Sequence, residues 1–389
     1  MSTRSPDFTL AAGPTTVSAR VLSAQGSPVT YHYDPAFLER FRTLGDLVGR
    51  VYGTENDIIL MQGEAVLGLE AAVVATVRPG MKVINLVNGP YGKGMGYWLR
   101  GHGAEVVEVE TGYREVPTPE MIEAAVIGNP DAELLAVVHV ETPCGTVSPL
   151  REIGQICRDN GVVTLVDAVA SLGGVEIHPD EWGLDICVSA PQKCLGGPSG
   201  MSMLAISQQG WDLIAKNSNA PRDSFLSILD WKDKWLEGEK FPYTPSVSDV
   251  YGVFAACEQI LEEGVEAAVL RHARTAAASR VGVLAMGLEL WPLDPATAAN
   301  SATAVKLPKG LTDSHVRDHI RRRYGVMISG ALGAGDLVRL GHMGETARSL
   351  YPIIGLSALG QGLRDLGCKV DVGSGIDAAM AALSESPNL

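Results

Sequence analysis

The run VVTLVDAVAS, residues 162–171, sets five residues rich in β-branched side chains directly before an aspartate. Valine and threonine suit a pleated strand, and a run without polar alternation reads as a strand buried on both faces. Asp167 then stands at the carboxyl end of that strand, the edge where open parallel sheets gather their ligands. An ionised carboxylate among apolar residues is costly unless a cation or a hydrogen-bond donor meets it. The competing reading is a cap on a following helix.

Outward from this run the same signal recurs. DIILM (57–61), KVINLV (82–87), AEVVEVE (104–110), LLAVVHVE (134–141), DICVSA (185–190) and MSMLAIS (201–207) alternate with helical patterns. Such alternation predicts an α/β fold, with a large and mostly parallel sheet covered by helices on both faces. The period then changes. PSVSDVYGVFAACEQILEEG (245–264) and VEAAVLRHARTAAASRVGVLAMG (265–287) read as long helices. TAVKLP (303–308) and VRLGHM (338–343) read as strands, and SHVRDHIRRRYG (314–325) and SLYPIIGLSALGQGLRDLG (349–367) as further helices. The expected division is an N-terminal segment over 1–20, a large domain over 21–255 and a smaller α+β domain over 256–389.

At 389 residues the chain is long for one domain, which agrees with two. A formal charge of −14 disfavours nucleic acid and anionic membrane as partners through a general field. The six cysteines show no CxxC or Cys/His ligand spacing, so no metal and no disulfide framework is expected. A reducing cytoplasm fits that usage. The start, MSTRSPDFTLAAGPTT, carries no secretory pattern, and no apolar run has the length of a membrane span.

Three further stretches carry chemistry. Lys193 lies in SAPQKCLGGPSG (189–200), a loop of small residues between two apolar runs. Partial desolvation of a lysine lowers its pKa and favours imine chemistry, whereas a lysine reaching out from a loop does nothing. NGPYGKGMGYW (88–98) has glycines spaced GxGxG rather than GxGxxG and a proline inside, so it is a weak dinucleotide signal. Its Tyr91 could face a planar ligand or simply pack. QGEAVLGLEAA (62–72) reads as a strand turning through Gly63 into a helix that starts near Glu64 and Ala65. Helix starts are common phosphate sites, yet a carboxylate stands at this one. It could also just complement the helix dipole.

Asp167 followed by Lys193 in a Ser-x-x-Gln-Lys loop resembles the fold-type I enzymes that bind pyridoxal derivatives. AAGPTTVS (11–18), HVETPCGTVSP (139–149), VDAVASLGG (166–174), SAPQKCLGGPSG and VRLGHMG (338–344) are similar to segments of the class V aminotransferases of the alanine–glyoxylate and serine–pyruvate group. The resemblance covers nearly the whole chain. It implies that Lys193 is the Schiff-base lysine and moves the proton of transamination, with Asp167 on the pyridinium nitrogen. It also implies that Tyr91 stacks on the ring, that Thr142 lies near the ring oxygen and Val169 beneath the other face, and that Arg339 clamps the substrate carboxylate.

In that group small hydroxyl residues at the position of QGEAVLG receive the cofactor phosphate, so Glu64 would set two anions side by side. The group's Tyr-x-x-Thr phosphate contact from the neighbouring subunit becomes FPYT, with Phe241 lacking the hydroxyl and Thr244 retained. YHYDPAF (31–37), GEAVLGLEAA (63–72), LSILDWKDKW (226–235), FPYTPSVS (241–248) and RYGV (323–326) are similar to one branch, the pyridoxamine–pyruvate transaminases, which take unphosphorylated vitamin B6 as a substrate. The expectation is therefore pyridoxamine and pyruvate exchanging an amino group to give pyridoxal and L-alanine, in a homodimer or homotetramer. That branch carries an additional arginine in the loop where this chain has Ala331, which opens the choice of 2-oxo acid. The alternative is a conventional pyridoxal 5′-phosphate enzyme, with Gln192, Thr244 and helix amides on the phosphate. A non-catalytic vitamin sensor is the reading from another class.

Overall fold

Each of the seven apolar runs forms a strand, and the seven join one sheet. In spatial order they are Asp57–Gln62, Met201–Ile206, Ile186–Ser189, Val163–Asp167, Leu134–Val138, Lys82–Val87 and Glu105–Glu110. The computed structural model describes residues 5–384. The last five strands of that order run parallel, and Met201–Ile206 is antiparallel to both its neighbours. Strands from Met201–Ile206 to Leu134–Val138 are buried along their whole length, because helices cover both faces. The edge strand Glu105–Glu110 exposes its terminal glutamates instead.

The register decides where chemistry can occur. Asp167 lies opposite Val138 on one side and Val188 on the other. The segments that leave these strands, Val140–Thr142, Ala168–Val169 and Pro191–Lys193, therefore emerge along one edge. Two helix starts face the same edge. Ala65–Thr76 follows the first strand, and Pro90–Gly101 follows Lys82–Val87. The second helix forms from NGPYGKGMGYW despite its glycines: Pro90 preorganises the first turn, and Gly92 lets the helix lie on the strand, where a Cβ would come within 2.7 Å of the Leu86 carbonyl oxygen.

A second core lies around the antiparallel strands Glu289–Leu290, Ala302–Lys306 and Leu337–Gly341 and the helices Asp313–Tyr324, Tyr351–Asp365 and Val372–Ser384. The chain's first strand, Phe8–Leu10, belongs with it through parallel pairing to Val326–Ile328. Arg321, Arg322 and Arg323 close the Asp313–Tyr324 helix, where cations suit the dipole. The expected division at residue 256 is displaced. Helix Val247–Glu263 runs unbroken through that position, and its Val250, Val253 and Ile260 pack in the first core. The first core extends to Ala268 and the second resumes at Val283, both on the next helix, Val265–Ala285. The change of period from residue 245 marks two consecutive long helices rather than a passage between cores. The six cysteines are free thiols. No helix among the described residues is long and apolar enough to cross a membrane.

LSILDWKDKW and FPYT build an aromatic cluster on the flank of the first core. Phe41 stacks parallel to Trp231 at 6.0 Å between centroids and meets Trp235 and Phe241 edge-on at 4.7 and 4.9 Å. Phe41 is 1% exposed. Phe41→Ala should destabilise the fold by about 3–5 kcal/mol, read as a lowered denaturant midpoint at unchanged slope.

Candidate functional site

Asp167 forms the floor of the site. It ends its strand and is 8% exposed, and the Val169 N–H donates to its Oδ1 at 2.9 Å. The chain continues into a turn here and not into a helix, so the helix-cap reading of Asp167 does not hold. Burial raises its carboxyl to about 6, against the Val169 N–H and the Lys193 charge, which favour ionisation. Lys193 stands across from it in the turn after Ile186–Ser189, where its Nζ donates to the Ala12 carbonyl at 3.2 Å. Burial lowers the ammonium pKa, and the Arg339 guanidinium lowers it further. Gly13 makes room for that side chain. A Cβ there would lie 2.3 Å from Lys193 Cδ, and its φ of +89° strains any other residue.

Glu64 is the N-cap of helix Ala65–Thr76. Its Oε2 accepts from the Val66 N–H at 3.0 Å and its Oε1 accepts from Gln192 Nε2 at 2.8 Å. The Leu67 N–H bonds the Glu64 carbonyl at 2.8 Å, and the Gly68 N–H bonds Ser202 Oγ at 3.1 Å. Three of the four donors that this helix start would offer an anion, on Val66, Leu67 and Gly68, thus already have acceptors.

A cavity of about 370 Å³ opens over these groups. Glu64, Ala65, Tyr91, Thr142, Asp167, Val169 and Lys193 all line it, so seven of the residues singled out in the sequence converge. Thr142 Oγ1 is buried and has no hydrogen-bond partner among the described residues. That orphaned hydroxyl and the planar, mostly apolar walls fit a pyridine ring carrying a polar substituent. The filled helix start does not fit a phosphate.

Arg339 extends from the middle of Leu337–Gly341 and is 4% exposed. Its Nε donates to the Gly330 carbonyl at 2.7 Å. Burial depresses its pKa, and Tyr91, Cys144 and Glu141 act against that. Ala331 is buried near Cys144, Ala304 and Leu337. Four expected residues do not line this cavity: Arg339, Gln192, which reaches it only through Glu64, Phe241 and Thr244. Phe241 is buried in the aromatic cluster, stacked on Trp235 at 4.6 Å, because a ring without a hydroxyl has no reason to stay at the surface. Thr244 is exposed and does not line this chain's cavity. Sequence reasoning missed Gly13 and Glu141. The second was legible in principle: a glutamate inside LLAVVHVE, an otherwise apolar run, has to find a donor.

The family model for class-V aminotransferases matches residues 48–348. A pyridoxamine–pyruvate transaminase of Mesorhizobium japonicum is 40% identical over 380 residues, covering 97% of each chain. The crystal structure of pyridoxamine–pyruvate aminotransferase from Mesorhizobium loti superposes with a TM-score of 0.95 at 40% identity over 98% of each chain. An (S)-ureidoglycine–glyoxylate transaminase of Bacillus subtilis is 29% identical over 95% of this chain and 93% of its own. A sheet edge that joins an aspartate, a depressed lysine and a buried arginine, on a chain with these likenesses, makes the protein a member of the class-V aminotransferase family.

Proposed function

We propose that this transaminase exchanges an amino group between unphosphorylated vitamin B6 and a small 2-oxo acid, with pyridoxamine and pyruvate giving pyridoxal and L-alanine. The observation that carries the reading is the Glu64 carboxylate, fixed by Val66 N–H and Gln192 at the place a phosphate would need. Two unit charges about 4 Å apart repel by about 4 kcal/mol at an effective dielectric of ~20, roughly a thousandfold in affinity. A hydroxymethyl group meets no such repulsion and can donate to the carboxylate. The Mesorhizobium relative's name points to the same substrates.

The pyridine ring, when bound, supplies an electron sink for the carbon from which a proton is removed. The chain does the rest. Asp167, desolvated and steadied by the Val169 N–H, holds negative charge at the floor and keeps a ring nitrogen protonated. Thr142 Oγ1 offers the ring oxygen a hydrogen bond, and Tyr91 and Val169 wall the two faces of the ring. Arg339 takes the amino or oxo acid by its carboxylate with two parallel N–H donors. Lys193 Nζ, more easily deprotonated than an exposed amine, carries the proton between the substrate Cα and the carbon beside the ring. The protein is proposed to work as a homodimer or a higher homo-oligomer. Val66, Tyr91 and Tyr97 leave an exposed apolar rim at the cavity, and Thr244, turned away from this chain's own cavity, is free to serve a second copy's.

Titration of dialysed protein with pyridoxal and, separately, with pyridoxal 5′-phosphate tests the reading by absorbance. Pyridoxal should bind more tightly to the wild type, and Glu64→Ser should shift the preference towards the phosphate by about 10- to 1000-fold. Tighter binding of the phosphate by the wild type would make this a conventional phosphate-dependent enzyme. Reductive labelling with pyridoxal and borohydride near neutral pH should modify Lys193 ahead of surface lysines. Gly13→Ala should erase that selectivity by pushing the side chain aside. Equal labelling of many lysines would remove Lys193 from its role.

A further inference from the structure

Glu141 is fully buried at the end of the short strand Val140–Glu141 that follows Leu134–Val138, and its two oxygens are both committed. Oε1 accepts from the Tyr91 N–H and Oε2 from the Gly92 N–H, each at 3.0 Å. Helix Pro90–Gly101 has no side-chain cap of its own, since Gly89 precedes it and Pro90 has no N–H to give. Its first two available donors therefore go to one carboxylate from another element. Gly89 is shaped to this contact. A Cβ there would lie 2.1 Å from Glu141 Cγ, although its backbone is extended and open to any residue.

The ionisable groups around Glu141 come from several elements. Asp167 faces it from the strand floor, Arg339 from Leu337–Gly341, Cys144 from its own turn, and Tyr113 from the segment after Glu105–Glu110. Burial raises the Glu141 carboxyl to about 7, the two backbone donors and Arg339 favour ionisation, and Asp167 opposes it. Arg339 is the cation in this group.

We propose that Glu141 is a positioning residue: it fixes the Tyr91 wall of the cavity through two backbone N–H groups, and its charge balances Arg339 so that a carboxylate bound there draws a proton to Glu141. The proposal rests on Arg339 as the carboxylate clamp. The sign follows from the charges. An anion on Arg339 offsets that cation's share of the field that favours ionised Glu141, the two backbone N–H groups supplying the larger share, so binding takes up part of a proton and weakens as pH rises above about 7.

Steady-state kinetics with pyruvate and pyridoxamine from about pH 6 to pH 9 test this directly, because pyruvate has no amine to titrate. In the wild type KM for pyruvate should rise roughly three- to tenfold across that range, with kcat less affected. Glu141→Gln cannot titrate and presents an NH2 to one backbone N–H. Its KM should lose that rise with pH and its kcat should be lower by about tenfold. Gly89→Ala keeps the carboxyl but displaces it, and should flatten the same profile. Calorimetry of pyruvate binding to the wild type in two buffers of different ionisation enthalpy should show net proton uptake near pH 7, without any substitution. An unchanged pH profile in Glu141→Gln, or no proton uptake in the wild type, would overturn the inference. Arg339→Ala separates the two levels: if it leaves KM unchanged the clamp itself is wrong, and if it raises KM while Glu141→Gln keeps the wild-type profile only the role of Glu141 fails.

Discussion

Three carboxylates meet at one edge of a sheet whose inner strands are wholly buried, and the structure depends on giving each of them backbone donors. Asp167 is met by the Val169 N–H, Glu64 by the Val66 N–H, and Glu141 by the N–H groups of Tyr91 and Gly92. Burying an unpaired carboxylate is unfavourable by several kcal/mol, so these bonds constrain where turns and helix starts can lie. Two helix starts aim at the edge because each has an acid to cap, one supplied locally and one from a neighbouring strand. Lys193 and Arg339 enter the field so created, and their depressed pKa values reflect desolvation more than mutual pairing.

Filling a helix start with the chain's own acid is also a statement about ligands. A phosphate site needs unpaired N–H groups, and at Ala65–Thr76 the second to fourth of them already have acceptors in Glu64 and Ser202. Gln192 adds a donor on the far side of Glu64 and holds it over the cavity. In the proposed reading, the distinction between a vitamin and its phosphate ester lies in one carboxylate and its two partners.

Much of this was legible in the sequence. The seven strands and the helices over Val247–Ala285 follow from hydrophobic period and the place of Asp167 from where parallel strands end, while its convergence with Lys193, Tyr91, Thr142 and Glu64 follows from the resemblance to the class V aminotransferases. What was not legible has physical causes. NGPYGKGMGYW becomes a helix because its glycines permit close packing on Leu86, a tertiary effect that outweighs poor propensity. Phe241 joins the core because Phe41, distant in sequence, meets it together with the nearby Trp231 and Trp235. Glu141 was legible in principle as a carboxylate in need of a donor, but which donor was not, because its partners are backbone groups about 50 positions away.

The first strand has a consequence for how the molecule is made. Phe8–Leu10 pairs with Val326–Ile328, the Ala12 N–H bonds Ser329 Oγ across a separation of 317 residues, and Ala12 and Gly13 seat Lys193. Residues 8–12 therefore wait until residues 326–329 have left the ribosome before they find their partners. The sheet that carries Asp167 and Lys193 can assemble earlier, but it stays without that wall. Until residues 326–329 are made, a nascent chain holds the Lys193 amine without the carbonyl that receives its N–H.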